Sequence, residues 1–220
     1  QRADEEKHVA ILDTEGGLQD QAGLEWACQQ GVDLDRLVVA TETDMETVFD
    51  LLLAMIDSEA FSLIVMDSIA AAAPGQLNDE GKEWGSKLPM ACKGGAVTQL
   101  VVAATGPAMR TRTSVIYVNQ VRENLSRFGR FERTPGGRAL RHQVALRLRV
   151  GRAGDLTEGD RVIGTRSSIE VVKSKFGPRA KTGVDTPDHI EVYFEESEMI
   201  EDIGGILHGG ELLGFISHRG

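Results

Sequence analysis

Three short apolar runs in this chain each end on residues able to do chemistry. "HVAILD" (8–13) leads into Thr14 and Glu15, "SLIVMD" (62–67) ends on Asp67 and is followed by Ser68, and "SVIYVNQ" (114–120) closes on Asn119 and Gln120. A carboxylate at the end of a buried run could hold Mg²⁺ beside nucleotide phosphates, directly or through water, so Asp67 is a candidate cation ligand. Glu15 stands two residues past its run, just before Gly16 and Gly17. A carboxylate there could polarise an attacking water, as general bases do. Gln120 can both donate and accept hydrogen bonds, so it could sense a terminal phosphate. Each residue also has an ordinary structural reading. A strand of an α/β protein can simply end on Asp, Glu15 could cap a helix beginning near Leu18, and Gln120 could satisfy sheet-end backbone groups.

The elements that would position these residues follow from periodicity. Residues 8–13 read as a buried strand, 18–31 as a helix closed by Gly31, 36–40 as a strand and 44–58 as a helix with Asp44 at its N-cap. Residues 62–67 are the next strand. The stretch from Lys82 to Met109 is interrupted by glycines and Pro89 and is expected to hold helical pieces, and 114–120 is again a strand. Strand–helix alternation implies a parallel sheet, with its ligand crevice beyond the carboxyl ends of the strands, where all three polar endings converge. "VALRLRV" (144–150), "SIEVVK" (168–173) and "HIEVYF" (189–194) follow at hairpin or meander spacing and imply an antiparallel extension. The expected fold class is therefore α/β: a mostly parallel twisted central sheet flanked by helices, with an antiparallel extension in the C-terminal half. No linker or repeat interrupts it, so residues 1–220 are read as one domain.

Composition narrows the class. The chain has 220 residues, 41% hydrophobic and 26% charged, which suits a globular protein. No apolar run approaches the ~20 residues of a membrane helix and no leader-like h-region opens the sequence, so no membrane partner and a cytoplasmic location are expected. Cys28 and Cys92 stand far apart without metal-ligand spacing and are expected to be buried small hydrophobes. The net charge of −10 hides an asymmetry. Nine arginines and two glutamates fall between Val121 and Arg152, whereas eight acids and no Lys or Arg fall between Asp185 and Asp202. Arg122, Arg127 and Arg130 interleave with Leu125, Phe128 and Phe131 just after Gln120. Arginines neutralise phosphates, and apolar side chains can wedge between bases, so this segment is a candidate nucleic-acid surface.

In this order, the motifs resemble the RecA/RadA family of recombinases, from about His8 to His218. "ILDTEGGL" resembles the strand bearing the family's catalytic glutamate, here Glu15. "LIVMDSIAAAAP" resembles its Walker B strand, and "VIYVNQVR" the strand ending in its Asn-Gln switch. "RFGRFERTPGGRAL" resembles the second DNA-binding loop with its closing Gly136-Gly137, and "IEVVKSKFGP" the strand whose two lysines, here Lys173 and Lys175, reach a neighbouring subunit's ATP. The resemblance implies a RecA-like P-loop NTPase core using ATP and Mg²⁺. Its catalytic set would be Glu15, Gln120, Lys173 and Lys175, with Asp67 and Ser68 serving Mg²⁺. Its DNA loop would be formed or framed by Arg122, Arg127, Phe128, Arg130, Gly136 and Gly137. It also implies a helical homo-oligomeric filament on single-stranded DNA that pairs it with double-stranded DNA and exchanges strands.

The sequence departs from the family at one decisive place. A G-x-x-x-x-G-K-[ST] loop is expected ahead of residues 8–13 and no such motif is present; "GQLNDEGK" (75–82) has the wrong spacing and lacks the final hydroxyl residue. An N-terminal segment carrying that loop is expected upstream of residue 1, the other possibility being a degenerate paralogue. "PGQLNDEGKEWGSK" would be the first DNA-binding loop, though it is acidic for that task. Two other readings use the same fold: a non-catalytic mediator or regulator of recombination, and a helicase-type or circadian-type ATPase.

Overall fold

The computed structural model describes residues 7–18, 21–29, 31–72, 90–126, 129–133, 139–175, 189–193 and 200–201. The chain divides into two compact units, residues 1–28 with 32–143 and residues 29–31 with 144–220.

The first unit is built on four strands, β1 (His8–Asp13), β2 (Leu37–Thr41), β3 (Phe61–Asp67) and β4 (Ser114–Tyr117), in the order β2-β1-β3-β4. All three pairings are parallel. Parallel neighbours need crossover connections, which are supplied by α1 (Gln21–Gln29), α2 (Met45–Asp57) and α3 (Met90–Thr111). Helix α2 shows how sequence sets an element here. Asp44 caps it, its carboxylate accepting from Thr47 N–H at 2.9 Å and from Thr47 Oγ1 at 2.8 Å. These bonds favour the charged form and hold the Asp44 pKa below the usual carboxylate value. Met45, Val48, Leu52 and Ile56 then recur at helical spacing and are all buried.

Those four residues share one core with Ala10 and Leu12 of β1, Ile64 and Met66 of β3, and Val97, Leu100, Val101 and Ala104 of α3. The apolar stripe of α3 carries a continuous helix across Gly94, Gly95, Gly106 and Pro107, so burial outweighs the weak helix preference of those residues. Strand β4 stops at Tyr117, which leaves Asn119 and Gln120 beyond the strand end. Cys28 is exposed, contrary to the expectation of a buried thiol, because it lies one position around α1 from the buried Ala27. The described part of segment 121–135 is an antiparallel hairpin, β5 (Arg122–Ser126) and β6 (Gly129–Arg133), which pairs Arg122 with Arg133 and Leu125 with Arg130. A five-residue helix α4 (Ala139–Gln143) follows.

The second unit is an antiparallel sheet in the order β10-β9-β8-β7, formed by β7 (Leu146–Glu158), β8 (Arg161–Ser174), β9 (His189–Tyr193) and β10 (Ile200–Glu201). Among the described residues, no helix is long and apolar enough to cross a membrane.

Candidate functional site

Parallel register brings the three polar endings side by side. Asp13 is the register partner of Asp67 on β3, and Met66 pairs with Tyr117 on β4. Just past the strands, Val118 N–H donates to Met66 O at 3.0 Å and Ile69 N–H donates to Val118 O at 3.0 Å. These bonds seat the segment after β3 against the segment carrying Asn119 and Gln120.

Glu15 is held by the turn that follows β1. The Asp13 carboxylate accepts from the N–H groups of Glu15 (3.1 Å), Gly16 (2.7 Å) and Leu18 (2.8 Å), folding the chain back at the strand end. Gly16 takes φ 77°, a left-handed conformation that favours glycine and lets the turn close directly behind Glu15. The Glu15 side chain is exposed and lies over the β3 and β4 ends. Its Oε1 accepts from Ser68 Oγ at 2.5 Å and from Gln120 Nε2 at 3.3 Å. Thus Glu15, Ser68 and Gln120, separated by up to 105 residues in sequence, form one hydrogen-bonded group.

Ser68 is buried, and so is Thr14 beneath it. Thr14 N–H donates to Asp67 O at 2.7 Å, while Thr14 Oγ1 accepts from Ser68 N–H at 2.8 Å and donates to Ser68 O at 2.7 Å. The Asp67–Ser68 peptide bond is cis. The Asp67 side chain is exposed at the strand end, yet its pKa lies above the usual carboxylate value. Partial loss of hydration is the largest cause, followed by the negative charges of Glu15 and Asp13. This is an electronegative ledge at the carboxyl ends of parallel strands, a place where such sheets bind ligands.

Composition and fold leave several proteins able to present such a ledge; comparison with known sequences decides between them. The RecA N-terminal domain family matches residues 1–195 of the chain. The chain belongs to the RecA family. It is 33% identical over 176 residues to Protein RecA of Acinetobacter baumannii, covering 80% of the chain and 48% of that relative. It is 34% identical over 170 residues to Protein RecA of Acinetobacter baylyi, covering 77% of the chain and 47% of the relative. Protein RecA of Enterococcus faecalis is 33% identical over 174 residues, covering 79% and 48%. The chain therefore spans about half the length of the curated relatives it matches.

Within this RecA-family chain, the first unit gathers Glu15, Asp67, Ser68 and Gln120 at one sheet end, as their positions at the ends of apolar runs imply. Arg122 and Arg130 lie on the β5–β6 hairpin, which starts two residues after Gln120. Arg127, Phe128, Gly136 and Gly137 fall outside the described residues. In the second unit, Lys173 pairs with Arg147 across β7 and β8, and Lys175 N–H donates to Ala145 O at 2.9 Å. Loss of hydration and the nearby Lys175 charge lower the Lys173 pKa. Lys173 lies on β8, whereas Lys175 stands just past the strand's end at Ser174. Sequence reasoning missed the work of Asp13 and Thr14. Their signal was present in the run Asp13-Thr14-Glu15, where two buried polar residues precede the exposed acid.

Proposed function

We propose that this chain is the ATPase core of a DNA recombinase, which assembles as a helical filament on single-stranded DNA and promotes homologous pairing and strand exchange with duplex DNA. The observation that carries the reading is the single group formed by Glu15, Ser68 and Gln120 beside Asp67, at the strand ends where the family's motifs fall. Family membership supports it independently.

The donor set suits Mg²⁺ accompanying ATP. Among the described residues, no cluster of three or more His, Cys, Asp or Glu forms a metal cage. Mg²⁺ with a nucleotide needs only one or two carboxylates, because phosphates and water complete its shell. Asp67, already crowded by the charges of Glu15 and Asp13, would hold the ion together with Ser68, and the ion would neutralise phosphate charge. Glu15 would orient the attacking water and take up its proton. The Gln120 amide, at hydrogen-bonding distance from Glu15, would contact the terminal phosphate. Since β5 begins at Arg122, that contact can be passed directly to the hairpin that would touch DNA. Lys173 and Lys175 would complete the site of a neighbouring protomer, making turnover depend on the filament.

ATP hydrolysis by the full-length protein, measured with and without single-stranded DNA and imaged in parallel by electron microscopy, tests the reading. DNA-stimulated turnover on helical filaments is expected. DNA binding without turnover would instead identify a non-catalytic mediator, and closed rings would identify a helicase-type ATPase.

A further inference from the structure

We propose that Thr14 is a positioning residue that fixes the spacing between the Asp67 and Glu15 carboxylates. This inference rests on the proposed hydrolytic reading of the same site. Thr14 is the residue between β1 and Glu15, and it grips the segment that follows β3. Its N–H donates to Asp67 O at 2.7 Å. Its hydroxyl both accepts from Ser68 N–H at 2.8 Å and donates to Ser68 O at 2.7 Å. One residue thereby engages three backbone groups of the two consecutive residues that would serve Mg²⁺.

The opposite side of that segment is held by Val118, just past β4, whose N–H donates to Met66 O and whose O accepts from Ile69 N–H. The Thr14 hydroxyl supplies a side-chain grip on the β1 side. Thr14 is 4% exposed and Ser68 1%, so water does not readily replace the hydroxyl. The chemistry also requires a group that donates and accepts through one atom. A hydroxyl does so, whereas valine keeps the shape of threonine and offers neither function. With Ser68 fixed in this way, its own Oγ is aimed at Glu15 Oε1, 2.5 Å away. The Thr14 grip therefore sets both the height of Asp67 and the hydrogen bond that orients Glu15.

The test compares Thr14→Val and Thr14→Ser with the wild type in the full-length protein, using two readouts. In DNA-stimulated ATP hydrolysis, Thr14→Val should lower kcat by about 30-fold or more while KM for ATP stays within about 3-fold, and Thr14→Ser should recover most of the rate. Independently of turnover, crystal structures of the variants should show the spacing between the Asp67 and Glu15 carboxylates changed in Thr14→Val and preserved in Thr14→Ser. If Thr14→Val fails to fold, judged by circular dichroism, Thr14→Ala takes its place. A wild type without ATPase activity would overturn the functional reading, and the carboxylate spacing alone would then decide the role of Thr14. An unchanged spacing, a kcat within 2-fold of wild type in Thr14→Val, or a kcat loss that serine does not restore would overturn the inference.

Discussion

Ser68 Oγ donates a 2.5 Å hydrogen bond to Glu15 Oε1, and that same oxygen is within 3.3 Å of Gln120 Nε2. One carboxylate oxygen beyond β1 thus receives a donor from the end of β3 and another from beyond β4. Such sharing makes Glu15 the centre of the site, and it links the residue proposed to orient water with the residue proposed to sense the terminal phosphate.

Glu15→Gln should separate hydrolysis from assembly. The amide keeps an oxygen to accept from Ser68 and Gln120 but cannot act as a base at neutral pH. Turnover should fall by about 10²–10⁴-fold, the usual contribution of a general base, while ATP-dependent binding to single-stranded DNA persists. Steady-state hydrolysis and fluorescence anisotropy on one preparation check both halves. Hydrolysis at the normal rate would remove Glu15 from the proposed role.

Asp67→Asn should stabilise the protein while removing its response to magnesium. The folded-state pKa of Asp67 is raised, so across the window between its unfolded and folded values the native state holds more protons than the unfolded chain. Its contribution to stability therefore falls as pH rises through that window, and at neutral pH the ionised group is a net cost. Because the carboxylate is exposed, solvent screening keeps that cost below about 1 kcal/mol. The substitution should raise Tm slightly at pH 7, by no more than about 4 °C, and leave it unchanged below the ordinary carboxylate pKa. Magnesium with ATP should raise the wild-type Tm and have little effect on the variant. Differential scanning fluorimetry over pH 3–8 reads all of this, and a lower Tm for Asp67→Asn at pH 7 would contradict the account.

The site was legible in the sequence to the extent that strand ends were legible. Apolar runs that lead into Thr14 and Glu15, into Asp67 and Ser68, and into Asn119 and Gln120 place those residues at one end of a parallel sheet, and the register then brings Glu15, Ser68 and Gln120 together. The third strand itself ends earlier than its sequence run, at Tyr117. Helix α2 was equally clear, since Asp44 and the buried series Met45, Val48, Leu52 and Ile56 agree on one helix. Strand β7 was not. Its alternation fades after Val150, and Gly151, Gly154 and Asp155 have the composition of a turn, yet the strand continues to Glu158 through register shifts at Arg152/Gly154 and Leu156/Thr157. Glycines at bulges resemble glycines at turns when only sequence is read. The β5–β6 hairpin was hidden for a related reason, because Asn124, Ser126 and Gly129 carry little strand preference and only the cross-strand pairing defines them. The buried hydroxyl of Thr14 also escaped notice, since its partners lie 54 residues away on Ser68, just past β3.

Asp44→Ala should test whether the cap matters as the geometry implies. The substitution removes both bonds to Thr47 and leaves an orphan N–H at the start of α2. Loss of an N-cap costs about 1 kcal/mol, equivalent to about 2–4 °C in Tm for a chain of this size. The pKa of Asp44 is lowered, so its stabilisation is present above the ordinary carboxylate pKa and is lost as pH falls through its folded value. The difference in Tm between the wild type and Asp44→Ala should therefore shrink on acidification. A difference that stays constant from pH 7 to pH 2 would show that the cap does not act through its charge.

Arg122 and Arg130 should act on DNA through phosphate rather than through base identity. They stand on opposite strands of the β5–β6 hairpin, Arg122 paired with Arg133 and Arg130 with Leu125, so the hairpin carries arginine on both strands just after Gln120. An arginine that neutralises one phosphate releases condensed counterions, which contributes about 0.7 to the slope of log affinity against log salt for single strands. Arg122→Ala and Arg130→Ala should each weaken binding to mixed-sequence and homopolymeric single strands by similar factors, and each should reduce the salt slope by about that amount. The double variant should lose about twice as much slope. Anisotropy titrations of the ATP-bound full-length protein between 50 and 300 mM salt measure the effect. If the hairpin reads bases instead, the loss will depend on DNA sequence while the salt slope stays unchanged, and the arginines would then need a different role.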